Sequence, residues 1–222
     1  MITSAHNPKL QHVRSLLTQR KDRKAAQEFI IEGVRLAEEA LASNWLPKLV
    51  FHTSELSLRG QELLARFHDA GCEIEGLTPA LMDSLSGTES PQGILAVLPM
   101  RELPLPPDRT LLLIADAIRD PGNLGTLLRS AAASGVQAVI LAPGTTDVYS
   151  PKIVRSAMGA HFRLPVRSLD WDTIAALSKP RLWVLLAEAA QGTPAWQLNL
   201  RQPLALIVGG EAEGASRTAA QL

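Results

Sequence analysis

LLLIADAIRDPGNLGTLLRSAAASGV, residues 111–136, is the stretch on which the fold turns. Residues 111–117 form an apolar run with no polar alternation, the pattern of a strand covered on both faces of a parallel sheet. Pro121, Gly122 and Gly125 then shape a tight turn, and Asn123 stands at the mouth of a helix read over 123–134. Glycines there let a backbone come close to a ligand at a helix start. The spacing is neither GxGxxG nor GxxxxGK, so neither the dinucleotide fingerprint nor the P-loop is satisfied.

The same alternation continues downstream. Apolar strands read at AVILA (138–142), RLWVLLA (181–187) and PLALIVG (203–209), with helices at 151–159 and 170–178. Strands and helices in turn, a few residues apart, are βαβ units, and the class is α/β with a parallel sheet. Upstream, RELPLPPDR (101–109) carries three prolines and reads as a stiff extended linker. Before it, strands at 29–32, 48–52, 73–77 and 93–98 alternate with helices at 34–43 and 57–70. An opening helix runs from Pro8 to Gln19, with Asn7 as its cap. The expected division is a small α/β substrate-binding domain over 1–100, the linker 101–109, and a parallel-sheet domain over 110–222.

Composition narrows the function. Of 222 residues, 46% are hydrophobic and 20% charged, enough to bury two cores. Cys72 is the single cysteine and the five histidines show no ligand spacing, so no metal is expected. No apolar run reaches the roughly 20 residues of a membrane span. The amino terminus lacks a secretion signal, which places the chain in the cytoplasm, away from membranes. Lys plus Arg and Asp plus Glu are 22 each, which excludes nucleic-acid binding by bulk charge alone. Yet residues 1–35 carry seven basic and three acidic side chains, and residues 36–100 three and nine. A basic face beside an acidic body can orient a polyanion.

Three segments carry candidate chemistry. In the first, Arg129 follows Asn123 by six residues on a helix otherwise of Leu, Ala and Ser, so it faces a cleft or solvent. In DVYSPKIVRSAMGAHFRLPV (147–166), Lys152, Arg155, His161 and Arg163 surround a short helix that Ser150 would cap, a plausible phosphate site. In ALIVGGEAEGAS (205–216) an apolar strand ends in Gly209-Gly210, followed by Glu211, Glu213 and Gly214. Glycines at a strand's carboxyl end suit a ligand crevice in an open α/β sheet.

Taken in order, PGNLGTLLRSAAASGV, YSPKIVRSAMGAHFRLPV and LIVGGEAEGAS resemble the three motifs of the SpoU/TrmH branch of the SPOUT methyltransferases. NPKL (7–10), FIIEGVRLAEEAL (29–41) and TESPQGILAV (88–97) resemble that family's substrate-binding domain. The resemblance implies S-adenosylmethionine-dependent methylation of a ribose 2′-hydroxyl, in ribosomal RNA ahead of transfer RNA, by a homodimer with a carboxyl-terminal trefoil knot. Residue by residue, Asn123, Arg129 and Glu211 match catalytic positions. Gly209, Gly210 and Gly214 match cofactor-contacting positions, and Leu186, Ala187 and Glu188 another wall of the adenosyl pocket. Arg155 and Ser156 match the second motif and, with Lys152 and the basic Lys9, Arg14, Arg23, Lys24 and Arg35, form the expected RNA-binding set.

Gly210 stands where many members have asparagine, and Ala212 where many have glycine. The third motif ordinarily continues through a further turn and a segment that close the cofactor pocket. The resemblance therefore predicts chain beyond Leu222, without which the knot is incomplete. Two other readings compete. A non-catalytic RNA-binding paralogue would keep the fold without the transfer. A nucleotide-dependent dehydrogenase would need an acidic residue about 20 positions after the glycines, and AVILAPG (138–144) supplies none. Trp183, within an apolar strand, is expected to serve core or surface packing with no stacking role, while Trp45, Trp171 and Trp196 are left open between packing and base stacking.

Overall fold

The computed structural model describes residues 1–88, 91–179, 181–189, 191–211 and 214–222. Glu89 and Ser90 of the TESPQ stretch, and Ala212 and Glu213 of the third segment, lie outside the described residues. The chain divides into two compact units, Met1–Arg101 with Tyr149–Phe162, and Glu102–Val148 with Arg163–Leu222.

In the first unit, Asn7 caps α1 (Pro8–Thr18) by accepting the Lys9 N–H at 2.9 Å. A second helix, α2 (Arg20–Ala26), follows at once and ends where Gln27 turns left-handed at φ 53°. Then come β1 (Glu28–Glu32), α3 (Val34–Ala42), β2 (Leu49–His52), α4 (Leu58–Asp69), β3 (Glu73–Gly76), α5 (Pro79–Leu85) and β4 (Ile94–Pro99). The sheet order is β1-β4-β2-β3, antiparallel except for the parallel β2·β3 pair. Leu10, Val13 and Leu16 of α1 pack with Ile30, Phe51, Leu95 and Val97 on one face of it.

Residues 149–162, expected within the second domain, group with this unit because their rings join an aromatic cluster. Tyr149 lies 4.9 Å from Phe29, His161 lies 5.6 Å from Tyr149, and Phe162 lies 5.4 Å from Trp45, centroid to centroid. Trp45 is itself 2% exposed, and its indole N–H donates to the Pro99 carbonyl at 2.7 Å. The intervening helix Pro151–Ser156, α7 in chain order, buries Ile153 and Val154. Ser150 precedes it but makes no side-chain cap bond, and its hydroxyl is buried without a hydrogen-bond partner, contrary to the capping role expected of it.

The second unit contains β5 (Leu111–Asp116), α6 (Pro121–Ala133), β6 (Ala138–Leu141), β7 (Val166–Ser168), α8 (Trp171–Ser178), β8 (Trp183–Ala187), β9 (Leu204–Gly209) and α9 (Arg217–Gln221). All five strands are parallel, in the order β7-β6-β5-β9-β8. Leu112, Ile114, Ile140, Ala205 and Ile207 form its core with Ile174 of α8. From β5 the chain steps outward through β6 and β7, then fills the other side with β8 and β9. The reversal falls between β5 and β9, and in open parallel sheets the crevice beyond the strands' carboxyl ends at such a point is where ligands sit. Of the core or surface packing expected of Trp183, the surface alternative holds: β8 is the edge strand, and the residue is 36% exposed.

Replacing the indole of Trp45 would empty the ring cluster and strand the Pro99 carbonyl. Trp45→Ala is expected to cost roughly 3–5 kcal/mol of stability, read as a fall in the urea midpoint followed by circular dichroism.

Candidate active site at the carboxyl ends of β5 and β9

β5 ends at Asp116, and the next residue, Ala117, takes a left-handed conformation at φ 52°. That is unusual for a residue with a Cβ, and such backbone strain clusters at functional sites. Asp120 then caps α6, accepting the Asn123 N–H at 2.8 Å, with Pro121 at the first helical position. The cap holds Asn123 half-buried in the first turn, its backbone donor satisfied and its amide side chain left for the crevice mouth.

The neighbouring loop leaves β9. Gly210 and Gly214 pair across it, with the Gly214 N–H donating to the Gly210 carbonyl at 2.9 Å. A Cβ on Gly209 would stand 2.4 Å from both the Ala215 nitrogen and the Gly214 carbonyl carbon, so backbone occupies the space a side chain would need. A Cβ on Gly210 would meet the Ala117 carbonyl oxygen at 3.3 Å. Between the two loops lies an open cavity of about 190 Å³, lined by Ala117, Ile118, Arg119, Asp120, Asn123, Gly210, Glu211 and Gly214. Ligand sites for drug-sized molecules begin at roughly 300 Å³, so this one fits the reacting end of a nucleotide-sized ligand rather than the whole of one. A second cavity, of about 210 Å³, is lined by Arg109, Thr110, Leu182 and Pro203, at the amino edge of the same sheet.

Asn123, Glu211, Gly210 and Gly214 thus converge, with Gly209 packed beneath the loop. Arg129 does not line the cavity. At about 100° per residue it lies roughly 120° round α6 from Asn123 and about 9 Å along it, on an exposed position. Leu186 and Ala187 pair with Ile207 and Val208, which puts them and Glu188 at the same carboxyl edge, one strand beyond β9. Asp116, Ala117, Arg119 and Asp120 went unnoticed in the sequence. A carboxylate closing an apolar run was the available signal for Asp116.

The basic set of the first unit divides. Lys24, Arg35 and Lys152 are exposed. Lys9 donates to Glu73 at 2.6 Å and also to Glu75; those hydrogen bonds hold its ammonium above the usual lysine range and, in return, Glu75 below the usual carboxylate range. Arg14 donates to the Ala5 carbonyl at 2.6 Å. Arg23, expected to face RNA, is 4% exposed and donates to the Leu16 carbonyl at 2.6 Å. Arg155 lies 3.6 Å from the Glu32 carboxylate, and Ser156 donates back to the Lys152 carbonyl at 2.9 Å. His161, expected beside a phosphate, is 6% exposed within the aromatic cluster.

Comparison with known proteins decides what this cavity belongs to. Residues 110–222 match the model of the SpoU rRNA Methylase family, and residues 7–96 that of the MRM3-like substrate binding domain. The chain belongs to the SpoU rRNA methylase family. It is 36% identical over 215 residues to the Bacillus subtilis 23S rRNA (guanosine(2553)-2′-O)-methyltransferase RlmP, covering 96% of this chain and 83% of that protein. Against the human mitochondrial rRNA methyltransferase 3 it is 33% identical over 198 residues, 81% of this chain but only 44% of the relative, so it spans less than half of that protein. Among solved structures, the SpoU methyltransferase AviRb from Streptomyces viridochromogenes, in complex with the cofactor AdoMet, superposes with a TM-score of 0.86 at 27% identity, covering 97% of this chain and 85% of that one. The SpoU match begins within one residue of β5, so the parallel sheet and the cavity at its carboxyl edge are the part of the chain that it covers.

Because backbone fills the space above Gly209, Gly209→Ala is expected to destabilise the protein by roughly 1–3 kcal/mol. Gly210→Ala, with its looser 3.3 Å approach, should cost less than half of that. Urea unfolding of the two variants side by side measures the difference.

Proposed function

We propose that this chain transfers the methyl group of S-adenosylmethionine to a ribose 2′-hydroxyl of ribosomal RNA. The observation that carries it is the meeting of Asn123 with Glu211 and the Gly210–Gly214 turn in one crevice at the β5·β9 switch point, in a chain of the SpoU family. The residues present suit the cofactor. Gly210 and Gly214 line the cavity with backbone rather than side chains, Gly209 makes room for their loop, and the Glu211 carboxylate and Ala117 carbonyl are favourable neighbours for a sulfonium cation. Leu186, Ala187 and Glu188, at the same edge, extend the wall toward the adenosyl group.

Bound S-adenosylmethionine supplies an electrophilic methyl carbon to an attacking oxygen. The protein's part is to align the ribose hydroxyl, for which Asn123 offers an amide donor and acceptor, and to deal with its proton. A guanidinium carries donors but no acceptor to take the hydroxyl's proton, so the part given to Arg129, outside the cavity lining, is to hold an RNA phosphate beside the crevice. Glu211, at the cavity wall, accepts the proton directly or through water.

The first unit binds the RNA through Lys24, Arg35 and Lys152, with Arg14, Arg155 and Ser156 as partly covered contributors. Residues 1–100, joined by 149–162, serve as the RNA domain, 101–109 as linker and the rest of 110–222 as the transfer domain. A homodimer, a carboxyl-terminal trefoil knot and a cytoplasmic location complete this proposal. No helix among the described residues is long and apolar enough to cross a membrane.

Labelled methyl transfer to ribosomal RNA tests the reaction. Wild type should transfer label, and Asn123→Ala, Arg129→Ala and Glu211→Ala should each lower kcat by about 10²–10³ while the cofactor still binds to Arg129→Ala. RNA binding without label transfer would leave a non-catalytic RNA-binding protein. For the RNA surface, Lys24→Ala, Arg35→Ala and Lys152→Ala should each weaken binding and reduce the salt slope by about 1. Lys9→Ala, which removes a lysine already bonded to two glutamates, should change that slope least.

A further inference from the structure

Asp116 is 1% exposed. Its Oδ2 accepts the backbone N–H of Ser216 at 2.6 Å, and among the described residues it forms no ion pair. A buried carboxylate with one hydrogen bond and no cation is costly, and an apolar side chain there would serve stability better. Its location shows what offsets that cost. Asp116 is the last rung of the β5·β9 ladder, directly opposite Gly209. It therefore touches both ends of one loop: Gly209 through the ladder, and Ser216 through its carboxylate. Between these two ends, Gly210, Glu211 and Gly214 line the cavity.

We propose that Asp116 is a positioning residue for methyl transfer, closing the stem of the Glu211 loop and so fixing Glu211 across the crevice from Asn123. The loop's other restraints cannot do this alone. The Gly210–Gly214 bond is internal to the loop, and the close packing of residues 214–215 on Gly209 sets a distance but no direction. The carboxylate adds direction, because a hydrogen bond from Ser216 requires the N–H to point at Oδ2. Ser216 in turn caps α9 by accepting the Ala219 N–H at 3.2 Å, so the exit of the loop is held from both sides. What matters on this account is an acceptor at the position of Oδ2; the negative charge is incidental.

This inference rests on the methyltransferase function proposed above, and its test separates the two. Four variants are compared: Asp116→Ala, Asp116→Asn, which keeps an acceptor in place, Asp116→Glu, which keeps the charge but moves the acceptor by one methylene, and Ser216→Ala, which keeps the N–H. Hydrogen exchange at the Ser216 amide reads the clamp without any ligand. Calorimetric titration with S-adenosylmethionine and steady-state methyl transfer read its consequence. Asp116→Ala and Asp116→Glu should speed Ser216 exchange by about tenfold or more and lower kcat by a similar factor, with a smaller change in the KM for RNA. Asp116→Asn should stay within about threefold of wild type in all three measurements, and Ser216→Ala, which keeps the N–H but loses the α9 cap, should show a smaller change than Asp116→Ala. Wild-type exchange and wild-type kcat in Asp116→Ala, or an Asp116→Asn as impaired as Asp116→Glu, would overturn the positioning role. If Asp116→Ala is recovered only unfolded, the Asn and Glu variants decide by themselves. If wild type takes up no cofactor, the methyltransferase reading fails, while the exchange data still judge the clamp.

Discussion

Six parallel rungs between β5 and β9, from Leu111 opposite Leu204 to Asp116 opposite Gly209, are the constraint on which the candidate site depends. They join two segments that are far apart in sequence, and they fix which loop residues can meet. Buried parallel strands keep their register because a slip of one residue would exchange their inward and outward side chains. With the last rung at Asp116 and Gly209, the residues that follow each strand must leave the sheet at the same height. That is why the turn bearing Asn123 and the turn bearing Glu211 face one another. Each turn also has restraints of its own: Asp120 caps α6 and the Thr146 N–H donates to the Ile118 carbonyl at 3.0 Å, while the β9 loop is closed through the Gly210–Gly214 bond and the Ser216 N–H on Asp116.

Glycine and strain divide the work at this edge. Gly209 has no Cβ because the backbone of residues 214–215 lies where it would be, and this tight return turns Glu211 toward the crevice. Ala117 holds a left-handed conformation on the facing side and presents its carbonyl toward Gly210. A left-handed residue with a Cβ costs about 1–2 kcal/mol, which the six-rung ladder can absorb. The loops therefore owe their shape to the sheet beneath them more than to bonds of their own.

Strands β5, β6 and β9 were legible because a parallel strand buried on both faces leaves an uninterrupted apolar run, and the switch between helix and strand periods marks every boundary. Helix α2 was not, since RKDRKAA has no apolar stripe and its one buried side chain is Arg23. Nor was β7, a three-residue strand whose identity comes from pairing with β6 at Val139 opposite Val166. At the site, Asn123 and the glycines could be named because turn chemistry is local. Asp116 could not, because the group that explains it, the Ser216 amide, lies 100 residues away. Trp183 stayed open between core and surface for a related reason: an apolar strand does not announce whether it lies at the centre or the edge of its sheet.

Charge reading failed in a more instructive way, and its failure bears on how RNA is chosen. Counting basic residues in 1–35 suggests a broad cationic face, yet the fold uses several of them internally. Lys9 is held by Glu73 and Glu75, Arg23 is buried against the Leu16 carbonyl, and Arg14 reaches the Ala5 carbonyl. Arg20, Lys21, Lys24, Arg35 and Lys152 are left on the surface. Each phosphate neutralised on duplex nucleic acid contributes about −0.9 to the salt slope, so five such contacts would give roughly −4 to −5. Phosphate contacts position a nucleic acid without reading its sequence. Discrimination must then come from fit: the shape of the folded RNA against the first unit, and the capacity of one ribose to enter the crevice between Asn123 and Glu211. A chain of zero net charge that spends Lys9, Arg14 and Arg23 on its own fold is suited to selecting a single nucleotide in a structured RNA, because bulk attraction alone does not hold the many that do not fit.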